Sequence, residues 1–340
     1  MRRASYQVFQ HYVLELARNH ELMFTVLNVA HSECAGEEAL ARLDVDDREQ
    51  SDFFVADILD PAPKNDVVSM EYPIFALRAG DMKVRRYERN GHTLTVFPGA
   101  TGCATIHDKD LWIYCISQLV EAGNRGREIT TTVRFTAFDF LTATHRDTSG
   151  RAYERMVEML RRLKGTVVET SIETAGLRER NGFGLIEGWR VIERAQDNGR
   201  MMAVEVDLPR WLFRSVQTKR VLTLSNAYFR LRKPLDRRIY ELARKHCGEQ
   251  PRWRISLAVL HQKSGSTGPL RRFRFDLKML AESGNLPDYL MAVDVKRDMV
   301  TFYANGPKGK LAEVKDMLAG RSHASLAAHQ KIRSPRSRGR

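Results

Sequence analysis

The sequence predicts an α+β fold in which one plan is used twice, and three observations carry that prediction. Two stretches each read as an amphipathic helix, a short second helix, a Gly/Ser/Thr turn and an arginine-rich third helix. Each stretch is followed by alternating, β-branched segments that read as a hairpin. In both third helices the apolar residues recur at helical spacing, which leaves the arginines on the opposite face. This is the winged helix-turn-helix order, so two tandem winged helix-turn-helix domains are expected.

The first stretch opens at Asp108, an expected N-cap for a helix reaching about Glu121. It continues through a short helix over Phe135–Thr144 to Thr148–Gly165. In this third helix Tyr153, Met156, Val157, Leu160 and Leu163 form the expected buried stripe. Arg151, Arg155, Glu158 and Arg162 line the other face, and Lys164 follows. Thr148 or Ser149 is expected to cap the helix, whose free N–H groups would then favour a phosphate. An isolated helix of this kind is more often just a solvated charged face. Its setting between a helix, a turn and a hairpin favours nucleic-acid binding instead. The hairpin is expected to run along Thr166–Ile172, turn through Arg178-Glu-Arg-Asn-Gly182 and return along Phe183–Ile192. That turn would put Arg178 and Arg180 near a wing tip, in reach of phosphate or the minor groove. A second strand pair follows, turning at Asn198-Gly199, with Met201–Asp207 as its far strand.

The second stretch comprises Pro234–His246, Ile255–His261 and Gly268–Leu280. Proline at 234 suits the first turn of a helix and marks the boundary between the repeats. Leu270, Phe273, Leu277 and Leu280 form the core stripe, while Arg271, Arg274 and Lys278 face away. Arg272 and Asp276 are an i, i+4 pair expected to neutralise each other. Tyr289–Val295 and Met299–Tyr303 make the hairpin, with Lys296 and Arg297 at its tip.

The expected organisation is an acidic N-terminal segment and linker (1–65), a first winged-helix domain (66–228), a second (229–306) and a disordered basic tail (307–340). Tyr6–Val26 reads as a helix, and Ser51–Asp60 as a short one capped by Ser51. Met82–Tyr87 and His92–Phe97 alternate as strands around Asn90-Gly91, a hairpin turn signal. Lys331–Arg340 holds five basic residues and no acidic one, and is expected to add non-specific affinity.

Composition narrows the function. The formal net charge of the 340 residues is +13. Residues 1–65 carry 6 Lys/Arg against 12 Asp/Glu; the remaining 275 carry 49 against 30. So basic a body favours a polyanionic partner. The apolar runs are too short and too broken by charge for a membrane span. The start, Met1-Arg-Arg, lacks an apolar stretch behind it, so a cytoplasmic protein is expected. Cys34, Cys103, Cys115 and Cys247 are scattered without C-x-x-C pairing, which argues against a zinc site or disulfide framework. Neither a P-loop nor an H-E-x-x-H is present, and Gly306-Pro-Lys-Gly-Lys310 lacks P-loop spacing. Tyr153, the tyrosine set among arginines, falls by its spacing in the core rather than at a nucleophile's position. A binder without metal, cofactor or enzymatic activity is expected.

The chain resembles the plasmid replication initiator protein A family. The residues that carry the resemblance are Met70-Glu-Tyr-Pro-Ile-Phe-Ala-Leu77, Tyr87-Glu-Arg-Asn-Gly91, His107-Asp-Lys-Asp-Leu-Trp-Ile-Tyr114 and Gly150-Arg-Ala-Tyr-Glu-Arg155. Arg161-Arg-Leu-Lys-Gly165, Trp253-Arg-Ile-Ser256 and Leu286-Pro-Asp-Tyr289 continue it, so that about residues 66–306 are covered. The resemblance implies paired winged helices that bind repeated sequences in double-stranded plasmid-origin DNA and open it. It also implies the host replication initiator and replicative helicase as partners, with homodimer formation left open. Three alternatives remain: a winged-helix repressor, including one acting on its own gene; a DNA-nicking enzyme; and a packaging protein indifferent to sequence.

Overall fold

The chain divides into two units, residues 1–51 and 52–340. The computed structural model describes residues 53–319 of the second unit, except 90–91, 175–176 and 195–199. The expected helix at Tyr6–Val26, the Asn90-Gly91 and Asn198-Gly199 turns and the Lys331–Arg340 tail lie outside the described residues.

Strands β1 (Phe53–Val55) and β2 (Lys64–Asp66) lead into helix α1 (Val67–Glu71), then β3 (Arg85–Arg89) and β4 (His92–Phe97). The first repeat comprises α2 (Asp110–Asn124), β5 (Thr132–Phe135), α3 (Ala137–Ala143), α4 (Gly150–Gly165) and four strands. Those strands are β6 (Val167–Thr174), β7 (Leu177–Gly184), β8 (Gly188–Arg194) and β9 (Arg200–Asp207). Helix α5 (Arg210–Gln217), β10 (Val221–Thr223) and a 3-10 turn at Tyr228–Arg230 connect the repeats. The second repeat holds α6 (Pro234–His246), β11 (Arg252–Ser256), α7 (Leu257–Ser264), α8 (Leu270–Ser283), β12 (Tyr289–Asp294) and β13 (Met299–Ala304). Helix α9 (Pro307–Leu318) ends the described chain.

The repeats agree in local detail. In each, the short second helix directly follows a strand, and a hydroxyl residue at the junction caps it. Thr136 accepts from the N–H of Asp139 at 3.1 Å, and Ser256 from that of Val259 at 3.3 Å. These caps satisfy helix-end donors that would otherwise lack partners. Pro234 occupies the first turn of α6, as expected. Sheet topology matches too: the strand orders are β1-β5-β9-β8 and β11-β13-β12. In both, the strand between the first two helices pairs antiparallel with the last strand of the closing hairpin.

This matching corrects the expected wing of the first repeat. Strands β6 and β7 pair with β3 and β4 in a separate sheet of order β3-β4-β6-β7. The hairpin that answers β12–β13 is β8–β9. Arg178 and Arg180 lie within β7, in register with Glu173 and Ser171, and the last pair of that ladder is Thr174 with Leu177. Arg178 is thus one residue from the ladder's end, but both arginines belong to the sheet with β3 and β4 and not to the hairpin that answers β12–β13.

Helix α2 is buried nearly all round and serves two cores. Leu111, Trp112, Tyr114, Cys115 and Ile116 pack into the first core with α4, β5 and β9. Ile113 faces the second core, among Tyr240, Leu260, Phe273, Leu277 and Phe302. Trp112 is fully buried, donates to the Leu185 carbonyl at 2.8 Å and meets Phe75 and Trp211 edge-on. Cys103, Cys115 and Cys247 are buried thiols.

Three further expectations change. Asp108 does not cap α2, whose cap residue is Lys109. Phe53–Val55, expected in a short helix, is a strand paired parallel to β5. Residues 53–65 thus supply two strands rather than a bare linker. Residues 307–318, expected in a disordered tail, form α9, held by Asp316, which pairs with Arg252 and accepts from the Tyr303 hydroxyl at 3.1 Å. Gly309 is required there, because a Cβ would come within 1.9 Å of the Ala304 carbonyl oxygen.

Candidate nucleic-acid interface

Helix α4 buries Ala152, Met156, Met159, Leu160 and Leu163. Tyr153 and Val157, expected in that stripe, are only half-buried at its border. Arg151 and Arg155 are exposed on the far side, as their spacing predicts, with Glu154, Glu158 and Arg161 beside them. Ser149 is the cap residue, yet its side chain makes no capping bond. Instead its hydroxyl and N–H donate to Asp147. The Ser149 bonds hold the Asp147 carboxyl below its usual range. A carboxylate there opposes an incoming phosphate, so the expected phosphate site at this helix end is not supported.

Arg162 is not free either. It forms a two-pronged pair with Asp108, both contacts at 2.8 Å, and lies 3.8 Å from Glu158. The Asp108 bonds raise its pKa further, and its role is to pin α4 to the start of α2. Lys164 is exposed and donates to the Glu187 carbonyl. Arg180 is exposed on β7. Of the first repeat's expected contacts, Arg151 and Arg155 stand best placed for a ligand.

Helix α8 buries Phe273, Leu277 and Leu280, and Arg271 is exposed opposite them, with Lys278 half-buried. Arg272 pairs with Asp276 at 3.1 Å, as expected. Arg274 instead reaches Asp298 at 2.7 Å, which ties the helix to the β12–β13 turn and spends part of its charge. Lys296 and Arg297 are exposed at that turn, with Arg297 3.4 Å from Asp294. The sequence reading missed Phe275 and Met279, apolar residues left 52% and 43% exposed on this helix.

Between the repeats lies a buried charge cluster that no motif announced. Lys109 Nζ donates to both oxygens of Glu241 at 2.9 Å. Glu241 also accepts from the Tyr228 hydroxyl at 2.8 Å, and from Asn65 and Arg238 at 3.3 Å. Arg237 donates to Asp110 at 2.5 Å, and Arg146 donates to the same carboxylate at 2.8 Å. Arg238 further binds the carbonyls of Ser69, Met70, Glu71 and Lys263. Burial pulls the Lys109 pKa down, and the Glu241 charge opposes that pull. Alongside, burial raises the Glu71 pKa, but His246, Lys245 and Lys263 overcome it and hold the carboxyl far below its usual range.

A pH effect follows. Burial, and then the Arg237 charge, push the His107 pKa down from 6.5 to about 4. Between those values the unfolded chain binds a proton that the folded chain refuses. This contribution is therefore whole above pH 6.5 and is lost as pH falls through 4, up to about 3 kcal/mol. Glu71 adds a loss of the same sign below its ordinary pKa of 4.5. The urea midpoint is expected to fall steadily from pH 7 to pH 4, and less steeply in His107→Gln. A flat midpoint over that window would contradict the burial argument.

Among the described residues, no group of three His, Cys, Asp or Glu side chains is placed to hold a metal ion. No described helix is long and apolar enough to cross a membrane.

These features define a mixed α+β protein with a basic, twice-repeated helical surface. Its fold is similar to crystal structures of domains 2 and 3 of RctB. The selenomethionine form gives a TM-score of 0.52 at 12% identity, over 70% of this chain and 96% of that one. A second structure of those domains gives 0.50 at 12% identity, over 72% and 99%. In sequence, the family model for replication initiator protein A matches residues 64–291. A "Putative replication protein" from Wigglesworthia glossinidia brevipalpis is 41% identical over 254 residues, covering 74% of this chain and 92% of the relative. The chain belongs to the replication initiator protein A family, and its role lies in the initiation of DNA replication.

Proposed function

We propose that the chain initiates plasmid replication by binding repeated sequences in duplex origin DNA through two tandem winged-helix domains. The observation that carries this reading is the shared topology of the repeats, each presenting an arginine-bearing third helix outward. Helices α4 and α8 enter successive major grooves, where Arg151, Arg155 and Arg271 donate to base edges and phosphates. The β12–β13 turn, with Lys296 and Arg297, lies on the backbone. Affinity then rests on counterion release and falls steeply with salt.

The protein acts in the cytoplasm by binding rather than by breaking bonds. Strain from several copies opens neighbouring A·T-rich DNA, whose pyrimidine–purine steps deform readily. The host initiator and replicative helicase then act on the opened strand. The test is maintenance of a plasmid carrying the DNA that flanks the gene and lacking any other origin. Maintenance that depends on the chain supports the proposal. Operator binding without maintenance would make the chain a repressor, and a covalent protein–DNA adduct formed with Mg²⁺ would make it a nicking enzyme.

A further inference from the structure

We propose that Phe275 is a specificity-determining residue that packs against thymine methyl groups in the major groove. This rests on the DNA-binding reading above. On α8, with a helical step of roughly 100° per residue, Phe275 sits about 200° around from the buried Phe273. It therefore lies on the side opposed to the core, as does Glu282 two turns on, and Phe275 is 52% exposed. Met279, one turn on, is 43% exposed and widens the apolar strip.

The ring is held in place although it is not buried. The Arg272 guanidinium lies over it, 5.3 Å from the ring centroid, and is itself fixed by Asp276 at 3.1 Å. That arrangement keeps a large apolar surface presented on an outward face without help from the core. The strip is flanked by Arg271, Arg272 and Lys278; of the carboxylates on this helix, Asp276 is engaged by Arg272 and Glu282 lies at the far end. A protein-docking face tends to lose charge at its centre, whereas a basic frame around an apolar strip suits a polyanion with methyl groups to bury. Thymine is the base that offers such a methyl in the major groove.

The first repeat differs. The exposed side chains of α4 from 151 to 161 are Arg151, Glu154, Arg155, Glu158 and Arg161, all charged. The two third helices would therefore read different features: hydrogen-bonding base edges at α4, and thymine methyls at α8.

The experiment uses the full chain. Wild-type protein selects duplexes from a random-sequence pool, and the selected duplex is remade with deoxyuridine replacing thymine in successive blocks. Uracil lacks only the methyl group. For the wild type, one block is expected to weaken binding about fourfold per methyl lost, the worth of one buried methyl group. Phe275→Ala is expected to bind thymine and uracil duplexes equally, and Phe275→Leu to keep part of the difference. Because Phe275 is exposed, both variants should melt like the wild type.

Three outcomes would overturn the proposal. In one, Phe275→Ala keeps the full thymine preference. In another, it binds DNA normally but changes sedimentation, which would assign the strip to a protein contact. In the third, the wild type selects no sequence at all, so that the DNA-reading assignment fails first and takes this inference with it.

Discussion

Replacing Glu241 by alanine is expected to destabilise the chain by about 3–5 kcal/mol, enough to unfold much of it at 37 °C. Glu241 is buried and is the common acceptor for Lys109, Tyr228, Asn65 and Arg238. Its removal leaves the Lys109 ammonium in a site with 1% side-chain exposure and without its directly bonded counter-charge. Desolvating an unpaired ion costs far more than an exposed pair contributes, which is why this substitution should outweigh any surface change. The double variant Lys109→Met/Glu241→Gln removes both charges and should recover a large part of the loss. Chemical denaturation of the wild type and the two variants checks this; equal stability of wild type and Glu241→Ala would refute it. The same cluster bears on dissection. Fragments cut near residues 224–229 would separate Lys109 and Asp110 from Glu241 and Arg237, so each half should be poorly folded, not merely a weaker binder.

The second large effect concerns recognition. Arg151→Ala/Arg155→Ala is expected to weaken binding to the preferred sequence by about 2–6 kcal/mol, at 1–3 kcal/mol for each base-reading arginine. Binding to random duplex should change much less, and the melting temperature should stay put because both side chains are exposed. Arg162→Ala serves as the contrasting control. Its loss breaks the pair with Asp108, so it should lower stability without selectively relaxing sequence preference. Competition binding with selected and random duplexes separates these outcomes. An unchanged preference in the double variant would remove α4 as the reader.

What the sequence revealed depended on the range of the interactions involved. Helical spacing located the buried faces of α4 and α8 correctly, since Met156, Leu160 and Leu163, and Phe273, Leu277 and Leu280, are all buried. Spacing identifies an outward face but not what meets it. Arg162 finds Asp108 from 54 residues away, and Arg274 finds Asp298 across the β12–β13 turn. Both were therefore counted among the contacts to DNA. Strand signals between residues 166 and 207 were legible, but their pairing was not. That β6–β7 joins β3–β4 depends on a partner about 75 residues upstream. The short strand Thr132–Phe135 was missed, although it and its counterpart Arg252–Ser256 both lead into the next helix through an apolar–hydroxyl pair, Phe135-Thr136 and Ile255-Ser256. The charge cluster around Glu241 left no local trace, because its members are single residues spread from Asn65 to Glu241.

The most direct test of the central claim is a footprint of the full chain on the DNA that flanks its gene, repeated over a series of salt concentrations. Two recognition helices on adjoining grooves predict protection of about two helical turns on one face of the duplex. Affinity should fall linearly with the logarithm of salt concentration, and the protection should be lost in the α4 double variant. Protection of a single turn, unchanged by substitutions in one of the two helices, would contradict the account and leave recognition to one repeat alone.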